Sequence, residues 1–396
     1  MDTSRRGGGR IRGLLSGLCA LALLTTSCGS GPGEAAGARD GRLVLAFMGP
    51  LTGDGANIGQ HMLNGVRLAV DRAADEADPS VRLTVKAFDT QLDPGQARTL
   101  ADRILEDPRV VGIVGPATSG ETKAVAPVFE EAGLPVVTPS ASNPELARQG
   151  WRIFRRMVVN DDVQSAEVAR YIAGPLGMTQ LAIVHDNSEY GKGLADLTKA
   201  AVEARGVRVD PFGTIDPKAA DYSAVVNTVK SRRAPAVFFV GIYDQAGRLV
   251  RQLHDAGVSV PFISGDGSKD PGIATIAGDA AEGVTVICGC ADLTADEDPE
   301  AKSFTDAYTA RFGGPPGTYA AESYDAAALF VNAVRRGAQT AAQVLAMTGP
   351  GMETFDGLTK RLSFTDRGEI AASTVYVYTF TGGRFRLAGT TEDLAA

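Results

Sequence analysis

The chain has 396 residues, 44% of them hydrophobic and 22% charged, with a formal net charge of −8. These are the proportions of a globular protein with room for more than one core, not of a disordered or fibrous one. No basic tract follows the first residues, which argues against nucleic acid as a partner, and no later apolar run approaches membrane-spanning length.

The first residues carry an address. Arg5, Arg6, Arg10 and Arg12 form a basic region, and Ile11 to Leu24 is an apolar run too short for a permanent span. It ends in Leu24-Thr25-Thr26-Ser27-Cys28, which resembles a bacterial lipobox. Residues 1–27 are then a signal peptide, cut before Cys28, and the Cys28 thiol is the lipidation site. Thr25 departs from the aliphatic residue usual there. The alternative is an ordinary secretory signal with an incidental Cys28. Residues 28–41 are rich in Gly, Pro and Ala, carry almost nothing that could pack, and read as a flexible tether.

After the tether, strand and helix patterns alternate. Leu43–Met48 is an apolar strand, and Ile58–Ala74 has helical spacing at Met62, Val66, Leu68 and Ala69. Val81–Asp89 alternates as a strand. Pro94–Leu105 is a helix with Pro at its start, where a missing N–H is harmless. Val110–Gly115 is a strand, followed by a periodic run and a second strand at Val136–Val137. Arg152–Arg156 is extended, Gln164–Ile172 helical, Leu181–His185 a buried strand, Gly191–Arg205 a helix and Arg208–Ile215 a strand. Tyr222–Arg232 is a helix before the strand Ala236–Val240, another periodic run and a strand at Phe262–Ile263. Then come a strand at Gly283–Cys288, helices at Ala301–Phe312 and Ala320–Arg336, and a closing hairpin of Ser373–Phe380 and Arg384–Leu387. The alternation predicts an α/β protein with parallel sheets and right-handed crossovers.

One stretch echoes another. VVGIVG (Val110–Gly115) followed by EEAGLPVVTPSAS (Glu130–Ser142) matches, in outline, AVFFVG (Ala236–Gly241) followed by HDAGVSVPFISGDG (His254–Gly267). Two similar units predict two doubly wound lobes with a cleft between them. The expected division is 42–159 plus 291–370 for one lobe and 160–290 plus 371–396 for the other. The chain then crosses near Val159, Cys290 and Ile370, and several crossings make a hinge rather than a loose linker.

In open α/β sheets, ligands sit at the carboxyl ends of the strands. One lobe offers small hydroxyls and bare N–H groups there, at Pro116–Gly120 and Thr138–Ser142. The other offers His185–Gly191, Gly241–Asp244 and Ser264–Gly267, rich in carboxylates and tyrosines. Ser119-Gly120 begins a helix, so free N–H donors suit a small anion, and without Lys or Arg a carboxylate suits better than a phosphate. Asp266, between two glycines, suits an ammonium. Together they describe a free α-amino acid. The competing reading makes Ser119 and Ser142 ordinary N-caps and Asp266 a turn residue.

These segments carry a resemblance. Ala46-Phe-Met-Gly-Pro-Leu-Thr-Gly, Gly59-Gln with Asn64-Gly, Asp93-Pro-Gly-Gln-Ala and Val114-Gly-Pro with Ser119 belong to it. So do Thr138 through Leu146, His185 through Gly191, Ile276-Ala-Gly with Ala281-Glu-Gly, and Tyr319-Ala-Ala with Tyr324-Asp-Ala. From about Leu43 to Phe380 the chain resembles the type I periplasmic binding proteins of the branched-chain amino-acid transporter family. The resemblance implies a carboxylate site at Ser119 and Ser142, and an ammonium site at the carbonyl of Ser140 and the acid Asp266. It also implies closing tyrosines at Tyr190 and Tyr243 and a side-chain pocket lined by Tyr319. Ile58 replaces a tyrosine of the leucine-binding members, and Asp266 is one methylene shorter than their glutamate, so the side-chain preference stays open.

The resemblance implies a lipid-anchored protein on the extracytoplasmic face of a bacterial membrane that delivers an amino acid to the membrane subunits of an ABC permease. It is expected to act as a monomer without cofactor or metal. A ligand-sensing module of the same fold, or a site for a non-amino-acid carboxylate or amide, is the alternative. Enzyme motifs are missing: there is no Gly-x-Ser-x-Gly, Gly-x-Gly-x-x-Gly, Walker loop or His-Glu-x-x-His. Of the three histidines, His61 reads as a surface residue, His254 as a helix C-terminal residue, and His185 as a structural or rim residue. Cys288 and Cys290, at i and i+2 on a strand, are either two buried thiols or a disulfide.

Overall fold

Short runs rich in Val, Ile and Phe build two sheets, one parallel and one mostly parallel, whose central strands are buried on both faces. In the computed structural model the described residues are 42–75, 81–291, 293, 298–349, 351–371 and 374–395. The expected signal, Cys28 and tether lie outside them, as does Ser373.

The first sheet holds β1 (Leu43–Gly49), β2 (Leu83–Asp89), β3 (Val110–Val114), β4 (Val136–Thr138) and β5 (Phe154–Arg156). Its order is β2-β1-β3-β4-β5, with every neighbouring pair parallel. The connecting helices are α1 (Ala56–Asp75), α2 (Pro94–Leu105), α3 (Ser119–Ala132) and the short α4 (Glu145–Arg148). The second sheet begins after α5 (Asp161–Ala173). It is built by β6 (Gln180–His185), α6 (Glu189–Glu203), β7 (Arg208–Thr214), α7 (Ser223–Arg232), β8 (Val237–Val240), α8 (Tyr243–Asp255), β9 (Phe262–Gly265), α9 (Gly272–Ala277) and β10 (Thr285–Cys288).

Its parallel part runs β7-β6-β8-β9-β10, the same winding as the first sheet. The echo in the sequence therefore has a structural counterpart: β3–α3–β4 and β8–α8–β9 occupy the third and fourth positions of equivalent sheets.

The tail returns to both sheets. The helices α10 (Pro299–Phe312), α11 (Ala320–Arg335) and α12 (Ala341–Thr348) follow β10; α11 packs on α1 and the first sheet, and α10 also meets α1. A small hairpin, β11 (Phe355–Asp356) and β12 (Arg361–Leu362), comes next. Then β13 (Tyr376–Thr381) and β14 (Arg384–Thr390) add antiparallel to β10, and α13 (Thr391–Leu394) ends against α5.

The chain thus passes between the sheets after β5, after β10 and before β13, and these passages touch. Arg156 donates its backbone N–H to the carbonyl of Gly368 at 3.0 Å, and its guanidinium pairs with Glu369 at 2.9 Å. The Tyr378 hydroxyl donates to the carbonyl of Cys290 at 2.9 Å. Cys288 and Cys290 form a disulfide, with their Cα atoms 5.2 Å apart, buried at the second passage.

Structure and expectation differ where capping decides. α5 begins at Asp161 rather than Gln164 because the Asn160 side chain caps it, accepting the N–H of Val163 at 3.1 Å. α6 begins at Glu189 rather than Gly191 because Ser188 accepts the N–H of Gly191 at 2.9 Å. Polar caps lie outside the apolar periodicity from which helices are read. α12 and the β11–β12 hairpin had no sequence signal strong enough to be predicted. His61 is half-buried rather than freely exposed. Its Nδ1 lies 2.7 Å from the Tyr308 hydroxyl and accepts the N–H of Gly317 at 3.1 Å, and burial lowers its pKa. α1 is covered by α10 and α11 on the side an isolated amphipathic helix would turn to solvent.

A buried acid ties the small hairpin to α11. The Asp325 carboxylate accepts the N–H groups of Leu358 (2.6 Å) and Thr359 (2.8 Å) and the Thr359 hydroxyl (2.6 Å). Asp325→Ala strands these donors, and hydrogen bonds to a charged group contribute roughly 1.5–3 kcal/mol each before compensation by water. A loss of about 2–4 kcal/mol in unfolding free energy is expected by denaturant titration, with the loop 357–359 becoming the first site of proteolysis.

Candidate functional site

The carboxyl ends of β3 and β4 make one wall. Thr118 caps α3, accepting the N–H of Glu121 at 3.2 Å, while the Glu121 carboxylate accepts the N–H of Thr118 at 3.0 Å. Ser119 is therefore the first helical residue, not the cap. The N–H of Thr122 bonds to the carbonyl of Thr118, which leaves the N–H groups of Ser119 and Gly120 as the helix's orphan donors. The Ser119 hydroxyl accepts the N–H of Asn143 at 3.2 Å. The loop after β4 is held by Thr138, whose hydroxyl donates to the carbonyl of Pro116 at 2.7 Å and accepts the N–H of Ala141 at 3.0 Å. Ser140 donates to the carbonyl of Ala117 at 2.5 Å. Ser142 is 1% exposed, and its hydroxyl has no hydrogen bond of good geometry.

The other wall comes from the second sheet. Asp266 opens a short 3₁₀ turn after β9 and is 3% exposed. Its carboxylate receives the hydroxyls of Tyr190 and Tyr319 and, at 3.4 Å, the side-chain amide of Gln164. Gly265 is required here: a Cβ at that position would stand 2.5 Å from the Tyr190 hydroxyl. Burial, followed by the charge of Asp266, raises both phenols well above their ordinary range, so they remain donors.

Tyr319 is contributed by the residue that caps α11, on the side of the first sheet, in the left-handed conformation (φ 63°). Its bond to Asp266 consequently joins the two walls. Other contacts do the same. The N–H of Gly55 donates to Asp244 at 2.8 Å, the Asn57 amide donates to Asp270 at 3.2 Å, and Lys123 pairs with Glu189 at 2.9 Å. Tyr243 stands apart from the Asp266 group; its ring faces Gly272 and its hydroxyl lies near Asn57, Asp244 and Asp270. Ile58 is buried in the same core cluster as Tyr243 and Tyr319. His185 is buried, and its Nδ1 accepts the N–H of Asn187 at 3.0 Å, a structural role.

The fold and this geometry can be compared with known proteins. A family model described as "Periplasmic binding protein" matches residues 43–384. The chain belongs to the periplasmic binding protein family. A leucine-, isoleucine-, valine-, threonine- and alanine-binding protein of Pseudomonas aeruginosa is 27% identical, covering 85% of this chain and 89% of its own length. The branched-chain amino-acid transporter substrate-binding protein LivJ of Streptococcus pneumoniae, solved with isoleucine, superposes with a TM-score of 0.79. It is 26% identical, with 88% of this chain and 98% of that one covered. The leucine-binding protein LivK of Thermotoga maritima has a TM-score of 0.80 at 24% identity, over 88% of this chain and 98% of its own, and shows the fold. That fold is the type I periplasmic binding protein fold, and the family is one of transporter solute-binding proteins rather than enzymes.

Several side chains of this binding protein's cleft escape a sequence reading. Asp161, at the start of α5, is fully buried; neither carboxyl oxygen has a hydrogen bond of good geometry, and the Ser142 hydroxyl lies beside it. Gln164, one turn on, reaches both Asp266 and the carbonyl of Ile287, the latter at 2.9 Å. Arg156 is fully buried and donates to the carbonyls of Ala141 (2.9 Å) and Asn143 (3.0 Å), which orients the Ser140–Ser142 loop. The one available signal was the polar cluster Asn160-Asp161-Asp162 ahead of a periodic run, and it reads equally well as a simple cap.

Burial dominates the acids. It raises Glu121, Asp186, Asp244, Asp270 and Glu322, pushes Asp325 to about 6, and with the neighbouring charge of Asp266 pushes Asp161 to about 8. With raised folded-state values, these groups bind protons more readily in the native state than in the unfolded chain. Stability therefore falls as pH rises from the unfolded value through the folded one. His61 and His185, lowered by burial, act in the opposite sense only below about pH 6.5. Thermal melts of ligand-free protein should show the midpoint dropping between about pH 6.5 and 8 and levelling off above, and Asp161→Asn should flatten that slope.

Proposed function

We propose that this chain is an extracytoplasmic, lipid-anchored solute-binding protein that captures an α-amino acid, branched-chain or related, and delivers it to an ABC permease. The observation that carries the reading is the pairing of opposite chemistries across one buried cleft. Orphan N–H groups and serine hydroxyls at the start of α3 suit a carboxylate, and the Asp266 carboxylate suits an ammonium. In this reading Ser119 and Ser142 hold the carboxylate. Asp266 and the Ser140 carbonyl hold the ammonium, Tyr190 and Tyr243 close from the second wall, and Tyr319 lines the pocket with Ile58. The amino-acid ligands in the names of the Pseudomonas and Streptococcus relatives support the same class. No helix among the described residues is long and apolar enough to cross a membrane, so the anchor in this reading is Cys28.

The lobes are residues 42–159 with 291–370 and residues 160–290 with 371–396. They rock about the three passages, because only a ligand touching both sides differs in affinity between open and closed forms. The transporter named for the Streptococcus relative supports transport over sensing.

Calorimetry with leucine, isoleucine, valine, threonine and alanine tests the site. Asp266→Asn keeps the shape and removes the charge, and a charge-assisted hydrogen bond contributes roughly 1.5–3 kcal/mol. Affinity for the preferred amino acid should fall about 10- to 150-fold. Equal binding by wild type and variant would make Asp266 a turn residue and overturn the ammonium site. The anchor has its own test: Cys28→Ser should move the protein from the membrane fraction to the soluble one, and a wild type already soluble would refute lipidation.

A further inference from the structure

We propose that Asp161 is a second ligand-facing acid, paired with Asp266, and that the cleft exchanges a proton for the ammonium of its amino acid on binding. The inference rests on the amino-acid reading above and adds a group and a proton count to it. Three observations carry it.

The first is position. The N–H of Asp161 donates to the carbonyl of Ser142 at 2.9 Å, which sets the start of α5 against the carboxylate wall. Gln164 lies three residues on, on the same face of the helix, and its amide reaches Asp266 at 3.4 Å. Asp161 and Gln164 therefore look together toward Asp266. The second is want of a partner. Asp161 is 0% exposed and neither carboxyl oxygen has a hydrogen bond of good geometry; the donor beside it is the Ser142 hydroxyl, which favours the ionised form without offsetting burial. A buried ionised carboxylate without a partner is costly, so the group keeps its proton until a cation arrives. The third is the charge that faces it. Asp266 comes from the turn after β9, Tyr190 from α6, Arg156 from β5 and Asp162 from its own helix. The nearby cation, Arg156, is already engaged by Glu369 and two loop carbonyls. Burial and the charge of Asp266 push Asp161 up to about 8.

An ammonium between the two acids reverses this balance. It supplies the missing donors and charge, and the Asp161 proton leaves to solvent. The Ser142 hydroxyl is then free to turn toward the ligand carboxylate. Below about pH 8 the apparent affinity should rise about tenfold per pH unit, then level off once the free site has lost its proton.

Titration calorimetry on the full-length mature protein decides the matter, with leucine, isoleucine, valine, threonine and alanine as probes. The strongest binder is titrated in two buffers of different ionisation heat. At about pH 7 the buffer dependence should report about one proton released, and at about pH 9 almost none. Asp161→Asn should lose both the buffer dependence and the pH dependence of affinity while Asp266→Asn loses affinity itself. If none of the five amino acids binds, the amino-acid reading falls and the proton exchange with it. If one binds with no proton released at about pH 7, the reading stands and the proton exchange is overturned. Should Asp161→Asn bind and still release the proton, another group carries it and Asp161 is excluded. Where that variant does not fold, Asp161→Glu replaces it and should shift the pH at which proton release is lost, an unshifted profile excluding Asp161.

Discussion

The buried carboxylate of Asp266 is the constraint around which the cleft is arranged. A charge 3% exposed needs donors, and they come from separate elements: Tyr190 on α6, Gln164 on α5 and Tyr319 at the cap of α11. Each of those elements is placed by its own packing, α6 and α5 on each other and α11 on α1 and the first sheet. Because Tyr319 comes from the first side, satisfying Asp266 also draws the two walls together. In the proposed reading a ligand ammonium competes for the same lone pairs, so occupancy and closure would act on one group.

Closure needs an axis, and the three passages supply it. Arg156, Glu369 and Gly368 bind the first passage to the third, while Tyr378 and Cys290 bind the third strand pair to the second. The Cys288–Cys290 disulfide lies at the base of this cluster. A single linker would let the walls tumble independently. In the proposed reading three cross-linked passages restrict motion to rocking, which keeps the serine loops and the acid wall facing each other.

The cleft is also unusually acidic for its burial. Asp161, Asp266, Glu121 and Glu322 are each 3% exposed or less. Buried ionisable groups that are not fully paired cluster at functional sites because a stability-driven core has no use for them. Glu121 is accounted for by its capping box with Thr118, and Glu322 by the N–H of Ala291, at 2.7 Å, in the second passage. Asp161 has beside its carboxyl group only the Ser142 hydroxyl, itself on the serine loop, with Arg156 engaged elsewhere, and this separates it from the others.

Much of the fold was legible. The apolar runs marked the strands of both sheets, Pro94 began α2, and the repeat at Val110–Ser142 and Ala236–Gly267 located equivalent halves. These are local signals, since a buried parallel strand must be apolar and a helix must show its period. The same locality explains why Ser119, Ser140 and Ser142 could be grouped in advance: they follow adjacent parallel strands, and strand order alone brings such loops together. Helix starts at Asn160 and Ser188 were missed by up to one turn because caps are polar and sit outside the period.

By itself, then, the sequence determined an α/β protein of two repeated parallel sheets with hydroxyl-rich loops at one set of strand ends and acids at the other. Only the tertiary structure decided which side chains meet there. Tyr319 lies 53 residues from Asp266 along the chain and Gln164 lies 102 away, and no periodicity encodes such a distance. His61 turned from a surface residue into a half-buried acceptor because helices much later in the chain pack on α1. Asp161 changed from a helix-start acid into a buried group of the cleft for the same reason. Burial is a property of the assembled whole, and it is burial that gives an ordinary polar residue its chemistry.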